Sequence, residues 1–453
     1  MANTRLTRTP SSAGSYVINT WSFWVKRGNL SSNQNLFNAY VSSSNKFRIK
    51  FTPSDQLEVG YFTGSWDFQI VTNRKFRDTS AWYHIVVAQK ANESTATDRI
   101  KVYVNGVRET SFATTNFPSA NEGSNVINAT NATQNIGSSG APDHYFDGSM
   151  SHVHFADGSA LAPTVFGETD STTGEWKIKT APSFTPGTNG FTILKDGNTI
   201  TDQSANSNNF STSGAGVTTT KDCPSNVFAT MNPLVYGGTS GQPVFSNGNT
   251  TVSATGSGGW HPSFGSIGVT SGKWYFETKV IGYNHCVVGI ANEAGTYNTV
   301  TSGFPPSQLY SYGIVCYDLG KKETNNNRIA YGAASNITNG QIIGTAFDLD
   351  NNKLYWSVNG TFKNSGNPAS GSTGTGSAYN LQAGETYFPM LIGNIGGGSN
   401  PAGGNINFGN GFFGTTAITT NSGNGYAGAE GKSKFNYAVP SGYSALSTKG
   451  LNQ

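Results

Sequence analysis

The sequence predicts an all-β protein made of two jelly-roll β-sandwiches joined by an extended Gly/Ser/Thr/Asn-rich connector. Three observations predict it. No stretch keeps apolar residues at i, i+3, i+4 and i+7 through three turns, so helical periodicity is missing throughout. Short alternating apolar runs recur along the whole chain instead, cut into pieces by 57 glycines and by Asn, Ser and Thr. At 453 residues the chain exceeds one ordinary core, and roughly 150 residues per domain gives two or three units. Aromatic residues at 12% supply the core material that a disordered chain lacks.

In the first third, strands are read at Thr20–Lys26, Lys46–Phe51, Trp82–Ala88 and Arg99–Val104. In the last of these, Ile100, Val102 and Val104 share one face. Asn105-Gly106 then closes the run with the dipeptide that best tolerates the positive φ angles of a tight hairpin. The device returns at Lys353–Val358, where Leu354, Trp356 and Val358 share a face and Asn359-Gly360 ends the strand. Trp21, Trp24, Trp82, Trp274 and Trp356 stand within strand patterns and are read as core. Domain limits follow from texture: a first module over 1–185, a connector over 186–259 resting on both modules, and a second module over 260–453. Ser365–Ser377 reads as a long loop inside the second module.

Composition removes several function classes. Charged residues make up 12% of the chain, against about 25% in an average soluble domain. With a formal charge of +3 and scattered Lys and Arg, no basic face points to nucleic acid. No apolar run approaches the ~18 residues that span a bilayer, and the first residues lack the apolar segment of a secretory signal. The expectation is synthesis in a cytoplasm and release by lysis. Cys223, Cys286 and Cys316 have no metal-type spacing, and the last two read as small buried thiols in strands.

The order Trp21–Lys26, Trp82–Val87, Val102–Gly106, Ile136-Gly137 and Phe146-Asp147-Gly148 resembles laminin-G-like, concanavalin-A-like lectin domains. Gly272–Glu277, Val287–Ala291, Phe347–Asn351 with Asn359-Gly360, Tyr387-Phe388-Pro389 and Asn407-Phe408-Gly409 resemble a SPRY domain, another concanavalin-like sandwich used in protein recognition. One departure is that Gly340-Gln341 stands where that family has Gly-Asp, so no role of that acid carries over. The two modules together, with Phe155–Gly158, Phe166–Glu168, Gly174–Trp176, Asn226–Leu234 and the closing Phe435–Tyr437 and Pro440–Leu446, resemble virion proteins of tailed bacteriophages of the marine type. That resemblance implies a non-enzymatic surface protein of the virion. It implies a tail-fibre or spike adhesin for a host glycan or protein, or else a decoration protein that glues capsid or tail subunits.

Each chemistry has its own candidate residues. A glycan-cleaving depolymerase needs two carboxylates flanking the bond, and Asp348 and Asp350 alternate. Both enter a turn, where Asp serves the local backbone. No cofactor is expected, although Asp147, Asp157, Asp348 and Asp350 have the oxygen chemistry of calcium ligands in turn-like settings. His152 and His154, with His144 nearby, have zinc-compatible chemistry but read as packing residues. For a glycan, exposed aromatic faces are required, and Tyr61, Trp66, Trp260, Tyr297 and Tyr310 are the candidates. Strand edges with few lysines to guard them imply a homo-oligomer, a trimer in a fibre, and other virion proteins as partners.

Overall fold

Alternation of inward and outward side chains along short strands, with glycine and asparagine at the corners, produces antiparallel sheets that must bury one face each. A computed structural model of the chain describes residues 4–141, 143–195, 200–214, 216–237, 242–254, 259–282, 285–295, 310–394, 402–419 and 425–451. The chain forms two compact units, Met1–Thr219 and Thr220–Gln453.

The N-terminal unit packs two sheets. One has eight strands in the order Phe112–Asn116, Trp66–Lys75, Gln56–Phe62, Asn45–Phe51, Gln34–Ser42, Thr133–Ile136, Arg5–Arg8 and Ser211–Ser213. The other has six, in the order Phe191–Ile193, Gly148–Asp157, Ile18–Arg27, Tyr83–Lys90, Ile100–Val104 and Val107–Arg108. Between them lies a core with an aromatic centre, in which Trp21 packs on Phe37, Phe47 and Phe155 at 5.0–5.7 Å between ring centroids. Ile100, Val102 and Val104 enter this core as the alternation predicts, while Lys101 and Tyr103 stay half-exposed. Val104 pairs with Val107 across a two-residue turn in which Asn105 and Gly106 have φ of 47° and 80°.

The C-terminal unit repeats the plan. A seven-stranded sheet runs Met231–Tyr236, Trp260–Gly265, Tyr387–Asn394, Val287–Asn292, Ser311–Val315, Lys321–Thr324 and Asn327–Ile329. A second sheet runs Val244–Ser246, Thr251–Ser253, Gly403–Asn407, Lys273–Ile281, Ile342–Asp348, Lys353–Val358 and Thr361–Phe362, with Tyr379–Asn380 and Ser444–Ala445 joined at its side. Asn359 and Gly360, at φ of 48° and 82°, close the second two-residue hairpin.

Two expectations change in detail. The segment 186–259 supplies strands to both units: Phe191–Ile193 and Ser211–Ser213 to the first, and Met231–Tyr236, Val244–Ser246 and Thr251–Ser253 to the second. The strand Lys353–Val358 buries both of its faces, because Tyr355 and Ser357 are covered as fully as Leu354 and Trp356. Residues near the C-terminus form part of that cover, with the Tyr443 hydroxyl donating to the Pro368 carbonyl at 3.2 Å. Glu277, a buried acid of this region, holds the same segment. Its carboxylate accepts from the Asn436 and Tyr437 backbone N–H groups at 2.8 Å each, and more weakly from Asn407 and the Tyr275 hydroxyl.

Candidate functional site: an aromatic and cationic face on the N-terminal sandwich

The strand Asn45–Phe51 alternates Phe47, Ile49 and Phe51 into the core with Lys46, Arg48 and Lys50 on the opposite, outer face. Its neighbour Gln56–Phe62 points Leu57, Val59 and Tyr61 inward and Glu58, Gly60 and Phe62 outward. Register then sets Phe62 opposite Trp66 at the start of the next strand. Gly60 provides the space for that indole, since a Cβ there would come within 2.6 Å of the Trp66 ring.

Around Trp66 the outer face becomes a joined patch. The Arg48 guanidinium sits 4.6 Å from the indole centroid, and Phe62 meets the indole edge-on at 5.4 Å. Lys46 lies 5.8 Å above the Phe62 ring. Glu58 is the anion that fixes the cations: Arg48 Nε donates to it at 2.5 Å, Gln69 Nε2 at 3.1 Å, and Lys50 Nζ approaches to 3.9 Å. Lys50 is also tied to Asn33 Oδ1 at 2.6 Å. Burial, followed by the neighbouring cation Arg48, lowers the Lys46 pKa. Two cations, Arg48 and Lys50, therefore share one carboxylate beside a half-exposed indole, with Lys46 over the neighbouring Phe62 ring.

The structure separates the other aromatic candidates. Tyr61 turns into the core, a parity its alternation with Leu57 and Val59 already carried. Its hydroxyl donates to Asn125 Oδ1 at 2.5 Å, and burial pushes its pKa up to about 12. Tyr61 is thus a core residue and offers no face to a ligand. Trp260 is half-buried in the C-terminal unit, edge-on to His285 at 5.8 Å and 6.2 Å from Tyr317. Arg328 lies 5.4 Å above the Tyr317 ring and pairs with Glu323 and Asp318, so an aromatic face with a pinned arginine occurs in each unit. Tyr310 is half-buried against the main core of its unit. Tyr297 lies outside the described residues.

The oxygen-ligand candidates do not gather. Both Asp348 oxygens accept from Asn351, at 2.9 Å from the backbone and 2.8 Å from the side chain, with Lys273 at 3.4 Å. Asp350 accepts the Gly272 N–H at 2.7 Å. Asp157 is saturated by N–H donors from Ser15, Asn128 and Asn189. Burial raises the pKa of Asp147, which opposes the charge a calcium ligand needs. Among the described residues no group of three His, Cys, Asp or Glu side chains is placed to hold a metal, and this donor set does not fit calcium. His152 and His154 are not a simple alternating pair. His152 has φ of 49° at a register shift in the strand Gly148–Asp157, and His154 is buried with Nδ1 at 2.9 Å from Thr192 Oγ1 and its ring stacked on Phe166.

One constellation that the sequence did not suggest lies on the outer face of the six-stranded sheet. His84 is sandwiched between Trp24, stacked at 4.6 Å, and Trp176, whose Nε1 donates to His84 Nδ1 at 3.0 Å. Ser22 Oγ engages the other ring nitrogen at 2.9 Å, and burial lowers the His84 pKa to about 3. The imidazole is therefore neutral and structural. Trp176 reaches it from the small hairpin Gly167–Thr169 and Trp176–Ile178, which covers this face.

Residues 5–166, in the N-terminal unit, match the family Laminin_G_3, described as the concanavalin A-like lectin/glucanases superfamily. Among solved structures, the chain is similar to the SPRY domain of human HERC1, at 18% identity over 39% of this chain and 96% of that one, with a TM-score of 0.29. It is similar to domain 4 of AbnA, a GH43 extracellular arabinanase from Geobacillus stearothermophilus in complex with arabinotriose, at 23% identity over 35% and 68%, TM-score 0.26. The mouse laminin alpha1 chain, domains LG4-5, matches at 7% identity over 86% and 79%, TM-score 0.28. No curated protein matches the sequence.

Proposed function

We propose that the chain is a non-enzymatic surface protein of a tailed-phage virion, an adhesin that holds a host cell-surface glycan on the outer face of its N-terminal sandwich. Trp66 carries the reading. Its half-exposed indole is held over Gly60 and beside Arg48 on a face that also offers Lys46, Gln69 and the Phe62 ring. An aromatic surface ringed by amide and cationic donors is the chemistry that a sugar ring and its oxygens require. The lectin-type fold agrees with it, and the order of motifs along the chain supports the phage virion as its place, after synthesis in the host cytoplasm and release by lysis. The absence of catalysis is supported by Asp348 and Asp350, whose carboxylates are engaged by backbone and side-chain donors.

The experiment is binding of the purified chain to immobilised host-surface polysaccharides, with Trp66→Ala beside it. Loss of at least about tenfold in affinity, equal to about 1.4 kcal/mol, is expected. Unchanged binding by a folded Trp66→Ala variant would refute the site, and labelled antibody that fails to mark virions would refute the location.

A second reading, decoration of a capsid or tail, is favoured by apolar side chains on two outermost strands of the C-terminal unit. Leu234 and Val235 on Met231–Tyr236, and Val244 on Val244–Ser246, are 59%, 38% and 47% exposed. Unguarded edges with apolar side chains favour pairing with another chain, either a further copy or a neighbouring virion protein.

A further inference from the structure

In the C-terminal unit, Val287–Asn292 and Ser311–Val315 pair in antiparallel register with Val287 opposite Val315. One step beyond that pair stand Cys286 and Cys316. The ladder reaches them, because the Cys316 N–H donates to the Cys286 carbonyl at 3.0 Å. Directly opposed residues put their side chains on the same face, with Cα atoms about 5.5 Å apart at a hydrogen-bonded position. A disulfide spans Cα separations of about 4.4–6.8 Å, so residues placed in this way need no strand movement to be joined. Both side chains face inward at 0% exposure and belong to one cluster with Val288, Ile290 and Ile314. The Cys286 thiol donates to the Gly403 carbonyl at 3.5 Å.

We propose that Cys286 and Cys316 are a latent cross-strand disulfide that closes when the folded chain meets a small-molecule disulfide. The chemistry balances as an exchange. One cysteine thiolate attacks a sulfur of the oxidant and expels one thiol, leaving a mixed disulfide. The second cysteine then attacks the protein sulfur of that bond and expels the second thiol. Both protein protons end on the two small thiols, the protein sulfurs are oxidised and the reagent is reduced. Cys223 stays outside the reaction, because it lies in a separate turn with its sulfur 3.3 Å from Ser225 Oγ. This division accounts for an odd number of cysteines without an unpaired reactive partner in the core.

The same surroundings set the rate. The neighbouring Cys286 thiol, together with burial, holds the Cys316 thiol well above its ordinary pKa. Thiolate is scarce in the closed sheet, so exchange waits on local opening of the strand ends and is slow in both directions. The pair is a durable staple more than a fast sensor. Once formed, it encloses residues 286–316 and restricts the unfolded chain.

The test incubates the full chain with oxidised glutathione, alkylates it, and counts thiols after denaturation. Thiols are expected to fall from two to none in Cys223→Ser with no glutathione retained, and in the wild-type chain any retained glutathione is expected on the more exposed Cys223 alone. Peptide mapping should join the Cys286 and Cys316 peptides, the unfolding midpoint of the C-terminal unit should rise, and dithiothreitol should reverse both. Cys223→Ser leaves the buried pair untouched, so the outcome does not depend on a core variant folding. Persistence of all three thiols, glutathione retained on either buried cysteine, or a bridge that includes Cys223 would each overturn the proposal.

Discussion

Replacing Glu277 by glutamine should make the stability of the C-terminal unit respond differently to pH. Burial of this carboxyl, opposed by the donors from Asn436, Tyr437, Asn407 and Tyr275, raises its pKa from 4.5 to about 7. A carboxyl with a raised folded pKa contributes stability that is fully present below its unfolded pKa and is lost as pH rises through the folded one. The difference between 4.5 and about 7 corresponds to about 3 kcal/mol between pH 4.5 and 8. Glutamine cannot titrate, so this component vanishes in the variant. It also presents an NH₂ to one of two backbone N–H groups that the wild-type oxygens meet at 2.8 Å, leaving a buried donor unpaired at about 1–3 kcal/mol. The variant should therefore be the less stable protein at pH 5, and the gap should close or reverse by pH 8. Urea unfolding of both proteins at pH 5, 6, 7 and 8, followed by tryptophan fluorescence, measures it. A difference between the two proteins that stays flat across those pH values would refute the reasoning.

Further outcomes follow from the same geometry. His84 carries the opposite sign: its folded pKa lies below 6.5, so the N-terminal unit should lose on the order of 4 kcal/mol as pH falls from 6.5 towards 3, an acid sensitivity measurable by the same titration. Asp55→Asn breaks the buried contact with Arg27 at 3.0 Å and should cost about 3–5 kcal/mol by denaturant unfolding, because the guanidinium is left charged and buried. Gly106→Ala strains a turn at φ 80° and puts a methyl group within 2.5 Å of the Trp176 ring, so it should destabilise by at least about 1 kcal/mol and alter tryptophan fluorescence. Asp348→Asn should lower stability through Asn351 and Lys273, while polysaccharide digests show no reducing ends from either protein.

The sandwich architecture was legible because two signals agree locally. Period-two alternation puts Ile100, Val102 and Val104 on one face, and Asn-Gly reverses the chain where the backbone needs two positive φ angles. What a strand meets on its second face is not written in the strand. Tyr355 and Ser357, and likewise Ser22 and His84, occupy positions that alternation assigns to solvent, yet distant segments cover them. Glu277 is illegible for this reason, since a single acid in an alternating strand reads as a solvated residue. Ser211–Ser213 has no apolar side chain and is exposed throughout, so only its pairing with Arg5–Arg8 makes it a strand. Of the aromatic candidates, the parity of Tyr61 with Leu57 and Val59 was available and decisive. Lys46, Arg48 and Lys50 alternate in the sequence, but nothing in that segment places them beside Trp66. The gathering of Arg48 and Lys50 around Glu58 depends on strand register, which no single segment encodes.

Each unit brings its first and last segments together. Arg5 lies opposite Ser213 in the N-terminal unit. In the C-terminal unit the Ala229 N–H donates to Leu446 and the Thr448 N–H to Val227, with Phe228 opposite Ser447. Both pairs are antiparallel, so the points where the chain enters and leaves a unit stand side by side. Tension applied through the polypeptide would then pull each terminal pair apart from one end. It would load the ladder one hydrogen bond at a time instead of shearing all of them together. A module wired this way yields early and gradually under force and closes again from the same end. Such a unit can also be excised, duplicated or spliced between others without threading a strand through its core.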